Sequence, residues 1–144
     1  EHELSCNSVE MSEKQIVSVY ESYGSRKLIH NMLRAYISPS MGEHSIDGLF
    51  TSSDHLAMIV QEELEEMGKR VPEDIQIIGY DGLQFLNQGK PIVSSIAQPV
   101  HEIAKEAVRC LNELIANGKT EGNTKIPVSF QEGPTTKTLV TEEK

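Results

Sequence analysis

The spacing of apolar positions changes abruptly between Gly48 and Gly82. Gly48-Leu49-Phe50-Thr51 is a short apolar run suited to a buried strand, and it stops at Ser52-Ser53-Asp54, a cluster suited to starting a helix. From Asp54 onward Leu56, Val60, Leu64 and Met67 recur at helical steps, with Glu62, Glu63, Glu65 and Glu66 between them on the polar side. Asp54 is expected to be the N-cap of this helix. Gly68 follows the last apolar position as a helix stop, and Pro72 keeps the helix from resuming. Ile75 to Tyr80 then reads as a second strand, closed by Asp81-Gly82. The pattern is a β-α-β unit with two parallel strands and a right-handed crossover.

The same reading covers the rest of the chain. Glu1 to Lys14 is polar and without period, and Gln15 to Tyr20 alternates as a strand would. Glu21 to Tyr36 is expected to be helical, with Leu28, Ile29, Met32 and Leu33 on one apolar stripe, and Ile37 to Ser45 a loop. Leu83 to Lys90 is a short connection that carries two apolar residues, Phe85 and Leu86. Pro91 to Ala97 reads as a strand. The longest helix should run from Pro99, in the first helical position, to Ala116, ahead of Asn117-Gly118. Ile126 to Phe130 and Thr136 to Val140 read as short strands.

Composition narrows the partners. A chain of 144 residues suits one domain. A net charge of −9 and a pI near 5.0 argue against direct nucleic-acid binding by these residues, since phosphate contacts need clustered Lys and Arg. Cys6 and Cys110 lie far apart without metal-ligand spacing, which fits a reducing cytoplasm better than a disulfide framework. His2, His30, His44, His55 and His101 show no zinc spacing, so neither a metal nor a cofactor is expected. No apolar run approaches transmembrane length and no signal peptide opens the chain, so no membrane association is expected. Arg26 and Arg34 read as solvated helix charges.

The candidate chemistry lies where the two strands of the β-α-β unit end. Ligands of open parallel sheets bind outside the carboxyl ends of the strands, and there this chain places Ser52, Ser53 and Asp54 after the first strand and Asp81 after the second. A carboxylate in that place can accept hydrogen bonds from neighbouring hydroxyls of a ligand. The alternative is that Asp81 only closes a tight turn with Gly82. An enzyme using Asp81 as nucleophile or base ranks last, because no companion base, metal cluster or phosphate-cradling Gly loop stands near it.

Three strings carry a resemblance: SSDHLA from Ser52, GKRVPEDIQIIGYDG from Gly68, and SSIAQPVHEIAKEAVRCLNELIANG from Ser94. Together they resemble the effector-binding region of LacI/GalR-family transcriptional repressors, over roughly Gln15 to Thr136. The long ungapped middle string is the most specific of the three. The resemblance implies an α/β fold: a parallel-sheet three-layer lobe of a type I periplasmic-binding-protein-like fold, incomplete, with one crossover helix belonging to the second lobe. It divides the chain into residues 1–97 as the C-terminal lobe, 98–130 as a helix and strand of the other lobe, and 131–144 as the return strand and tail.

The resemblance also implies a function. The chain is expected to bind a sugar or sugar-phosphate effector and to dimerise, as part of a cytoplasmic repressor of carbohydrate utilisation that reaches operator DNA only through a headpiece. Regulators of sucrose or ribose utilisation are the most similar. The alternative is the sugar-binding protein of a transport system, which shares the fold. Asp81, in the family's G-[YF]-D motif, is the expected effector-contacting carboxylate. Ser53 stands where the family usually has Asn, and Gln98 stands at a crossover beside the cleft. Met58, Phe85 and Leu86 match positions of the family's dimer interface; for Met58 ordinary core packing is the competing reading. A sensor of this kind needs about twice this length plus a headpiece, so the chain reads as a fragment. The family's R-x-x-G-F motif, near its effector-clamping Arg, does not occur.

The last helix raises a question of energy. Val100, Ile103, Val108, Leu111, Leu114 and Ile115 share one stripe. Burying each is worth roughly 1.5–3 kcal/mol, so leaving them all in water forfeits on the order of 10 kcal/mol. That is comparable to the stability of a whole domain. The stripe is therefore expected to be covered, by a second copy of the chain.

Overall fold

The computed structural model describes residues 26–37, 46–82, 91–120 and 124–138. Its elements run α1 (Arg26–Ile37), β1 (Gly48–Phe50), α2 (Asp54–Glu66), β2 (Gln76–Asp81), β3 (Ser94–Ala97), α3 (Val100–Asn117) and β4 (Ser129–Gln131). The strands form one sheet in the order β1-β2-β3-β4. β1, β2 and β3 are parallel, with Phe50 opposite Ile78 and Asp81 opposite Ala97. β4, expected as a strand of the other lobe, instead joins this sheet at its edge and runs antiparallel to β3, with Ala97 opposite Ser129. The expected strand Gln15–Tyr20, the helix start before Arg26, Phe85 and Leu86 lie outside the described residues.

The core follows the helical stripes. Ile29 and Leu33 of α1 meet Ala57, Val60 and Leu64 of α2, which lie over Ile75, Ile77 and Val93. Leu28, expected on the stripe, is exposed, and Met32 is half-buried. Met58 is half-buried, one side of it against this core. The β2 strand begins and ends one residue later than expected, and β3 starts at Ser94 instead of Pro91. β4 is displaced by three residues at its start from Ile126, and residues 136–138 form no strand. The stretch Pro127-Val128 is exposed and outside the ladder, as a proline lacking the N–H donor requires of its own position.

Helix ends also correct two expectations. Ser53, not Asp54, caps α2: its Oγ accepts from the Leu56 N–H at 3.2 Å, while Asp54 is already the first helical residue. Pro99 is the N-cap of α3 instead of its first residue, and its side chain makes no capping bond. The C-terminal expectation for α2 stands close to the structure, with Met67 as C-cap and Gly68 following at φ 74°.

Glu63, one of the acidic run between the apolar positions of α2, is buried. Arg26 Nε donates to its Oε1 and His30 Nδ1 to its Oε2, each at 2.9 Å. Arg26 also pairs with Glu62 at 2.8 Å and lies 3.5 Å from Glu66, so it clamps α1 onto α2 instead of being simply solvated. The guanidinium of Arg26, and after it the ring of His30, holds the Glu63 carboxyl below its ordinary pKa of 4.5. A lowered folded pKa means that this stabilisation is complete above 4.5 and is lost as pH falls through the lowered value. Urea unfolding followed from neutral pH to about pH 3 should therefore lose free energy on the acid side. Glu63→Gln should flatten that loss at high salt, where the exposed pairs of Asp74 with Arg70 and Glu106 with Arg109 are screened. An unchanged acid limb in the variant would contradict the assignment.

The stripe of α3 has no buried residue, and exposure runs from 38% at Ile103 to 74% at Ile115. Phe50 of β1, with Val128 and Phe130, adds exposed apolar surface. Among the described residues nothing buries this apolar stripe.

Candidate functional site

Parallel pairing sends the carboxyl ends of β1, β2 and β3 to one rim of the sheet, and this places Ser53, Asp81 and Gln98 along it in strand order. Because β4 is antiparallel, it enters the sheet at that same rim through Ser129. Residues 98–128 therefore leave the sheet and return to it at neighbouring points. All three site residues expected from the sequence lie on this rim, and each is partly exposed.

Asp81 and Gln98 are in direct contact. Gln98 Nε2 donates to Asp81 Oδ1 at 2.8 Å, and the Gln98 backbone N–H donates to the Asp81 carbonyl at 3.3 Å. The second carboxylate oxygen of Asp81 has no protein partner among the described residues. Asp81 also has φ 115°, the one positive value among the described non-glycine residues. That region suits glycine and costs an ordinary residue of order 1–3 kcal/mol, a kind of strain that persists chiefly at functional sites. Strain of this kind goes beyond what a simple turn needs, since Gly could stand there at no such cost.

Ser53 is tied to the helix it caps. Its Oγ accepts from Leu56 N–H, which leaves the hydroxyl proton available to donate. Thr51, which the sequence reading passed over as part of the strand, is buried and holds the loop: its Oγ1 donates to the Ser53 carbonyl at 2.9 Å. The aromatic rings of Phe50 and Tyr80 meet edge to face beside these strand ends, with centroids 6.4 Å apart.

Beneath the rim lies a layer that sequence reasoning missed. Asp54 is 2% exposed and reaches across β2 to β3, where Ser95 Oγ donates to its Oδ1 at 2.5 Å. It crosses at Gly79, where an added Cβ would fall 2.3 Å from Asp54 Oδ1 and 3.1 Å from its Cα. Ser95 Oγ in turn accepts from the Gly82 N–H at 3.2 Å. Gly82 has φ 77°, and a Cβ there would lie 2.6 Å from the Ala97 Cβ. The turn that carries Asp81 is thus fitted tightly against β3. Two signals pointed to this layer: a glycine inside an apolar strand, and paired serines, both buried, at the start of the next.

The chemistry on offer is recognition of polar hydroxyl groups: one strained carboxylate with an oxygen unpaired among the described residues, one amide and one hydroxyl on a shared rim. Among the described residues no group of three His, Cys, Asp or Glu side chains is placed to hold a metal ion, and no helix is long and apolar enough to cross a membrane.

A family model described as a periplasmic binding protein-like domain matches residues 1–136. The ribose operon repressor of Bacillus subtilis is 44% identical over 69 residues, which are 48% of this chain and 21% of that protein. The sucrose operon repressor of Streptococcus mutans is 31% identical over 87 residues, 60% of this chain and 27% of that one. A LacI-family transcriptional regulator from Enterococcus faecium, solved with bound ribose, superposes with a TM-score of 0.62 at 27% identity. That likeness covers 92% of this chain and 47% of the other, so the chain spans about half the length of its structural relative.

Proposed function

Because the chain belongs to the periplasmic binding protein-like domain family, we propose that its sheet rim forms the sugar-contacting wall of the effector-binding domain of a LacI-type repressor. The protein controls carbohydrate utilisation, and its effector is a small sugar of the ribose type or the corresponding sugar phosphate. The observation that carries this reading is Asp81, strained at φ 115° and bonded to Gln98 at the rim, with its second carboxylate oxygen unpaired among the described residues. Support comes from the ribose and sucrose operon repressors among its relatives and from the ribose-bound regulator that shares its fold. Asp81 accepts from neighbouring sugar hydroxyls, Gln98 donates and holds the carboxylate in place, and Ser53 donates from the next strand end.

Residues 1–97 and 129–144 make one lobe, and residues 98–128 belong to the second. The pairing of Ser129 and Phe130 with β3 moves the second boundary two residues ahead of the expected one, and the return of the chain at the same rim supports this division. The sugar favours one arrangement of the lobes over another, and that preference passes on about 1–3 kcal/mol of coupling to an operator-binding headpiece. The protein acts in the cytoplasm as a homodimer through Met58, Phe85 and Leu86, and it catalyses no reaction.

The test is a calorimetric panel on the intact protein, first shown by light scattering to have the mass of a dimer. Ribose, sucrose, glucose and ribose 5-phosphate are titrated in turn. Saturable binding of at least one at a single site per chain is expected. A monomer at micromolar concentration removes the dimer, and no binding across the panel removes the sensor reading.

A further inference from the structure

We propose that Asp54 and Ser95 are positioning residues that hold the Asp81-Gly82 turn in its ligand-ready conformation without touching the ligand. The inference rests on the sugar-site reading above and names what sets the affinity of that site. Asp81 sits at φ 115°, a conformation its own side chain disfavours, so something outside it must keep it there. On the rim side, Gln98 bonds its carboxylate and carbonyl. From below, the Gly82 N–H immediately after it is held by Ser95 Oγ at 3.2 Å. A serine hydroxyl can turn; this one is directed, because its proton goes to Asp54 Oδ1 at 2.5 Å and its lone pair is thereby presented to Gly82. Both side chains are buried, Asp54 at 2% and Ser95 at 2% exposure, so neither is placed to meet a ligand on the rim. Asp54 starts α2 just after β1 and reaches β3 over Gly79, so the relay links all three strand ends. A change in any of them is carried to the Asp81 turn.

Ser95→Ala in the intact protein removes the acceptor for Gly82 and leaves the rim side chains in place. Sugar affinity is expected to fall about tenfold, the effect of one lost hydrogen bond, and hydrogen exchange at the Gly82 amide to quicken by at least as much. Asp54→Asn keeps an oxygen facing Ser95, so it should stay within about threefold of wild type in both readouts. In an Asp81→Asn background the Ser95→Ala loss in affinity should shrink to less than about twofold, because the two act as one unit. Unchanged Gly82 exchange in Ser95→Ala overturns the proposal whether or not any sugar binds. Full additivity with Asp81→Asn overturns it as well. Should Ser95→Ala fail to fold, Asp54→Ala takes its place and the same two readouts decide. A wild type that binds no sugar defeats the sugar-site reading alone, and the exchange measurement still judges the relay.

Discussion

Asp81→Gly should weaken sugar binding by about 30- to 700-fold while costing the fold nothing. The binding loss follows from removing a carboxylate that accepts from sugar hydroxyls. Bonds to a charged group contribute about 1.5–3 kcal/mol each, and water replaces part of what is lost, leaving about 2–4 kcal/mol. The stability effect has the opposite sign from most substitutions. Relief of φ 115° returns of order 1–3 kcal/mol. The lost bond from Gln98 and the added backbone freedom of glycine take back about 1–2 kcal/mol. Urea unfolding should therefore give an unchanged or slightly higher free energy. An aspartate that merely closed a turn would show the reverse, with stability lost and binding kept within about threefold, and that outcome would contradict the site assignment.

The second large effect is on stability alone. Gly79→Ala is expected to cost about 3–5 kcal/mol in urea unfolding, a large share of the 5–15 kcal/mol that a domain of this kind has. Its methyl group would stand 2.3 Å from Asp54 Oδ1. The carboxyl tip could swing away only by giving up Ser95, and the Asp54 Cα at 3.1 Å belongs to a helix start that has little room to yield. Overpacking of a buried site costs about 1–3 kcal/mol, and breaking the hydrogen bond of a buried carboxyl adds about 1.5–3. A loss below about 1 kcal/mol would mean that Asp54 has an equally good place elsewhere, and the account of this crossing would fail.

The β-α-β unit was readable because its signals are local. Leu56, Val60 and Leu64 keep helical steps, and Ile75 and Ile77 alternate into the core. So was the rim: parallel strands joined by a helix put their carboxyl ends together, and the G-[YF]-D string lies at one of those ends. What escaped depends on register and distance. Glu63 looks like any other residue of an acidic run until α1 brings Arg26 and His30 against it from more than thirty positions away. Asp54 and Ser53 are neighbours with the same capping chemistry, and only the bond from Ser95, 41 residues on, decides which one turns inward. The antiparallel entry of β4 depends on where residues 98–128 return, which no local period records. For α3 the stripe itself was plain in the sequence. A stripe states that a partner is required and does not name it.

The most direct test is a crystal structure of the intact protein with its bound sugar. Asp81 Oδ1 or Oδ2 should lie at about 2.6–3.0 Å from a sugar hydroxyl, with φ of Asp81 still positive and Ser95 still bonded to Gly82. A sugar bound away from the ends of β1, β2 and β3, or an Asp81 relaxed to negative φ with no sugar oxygen in reach, would contradict the account.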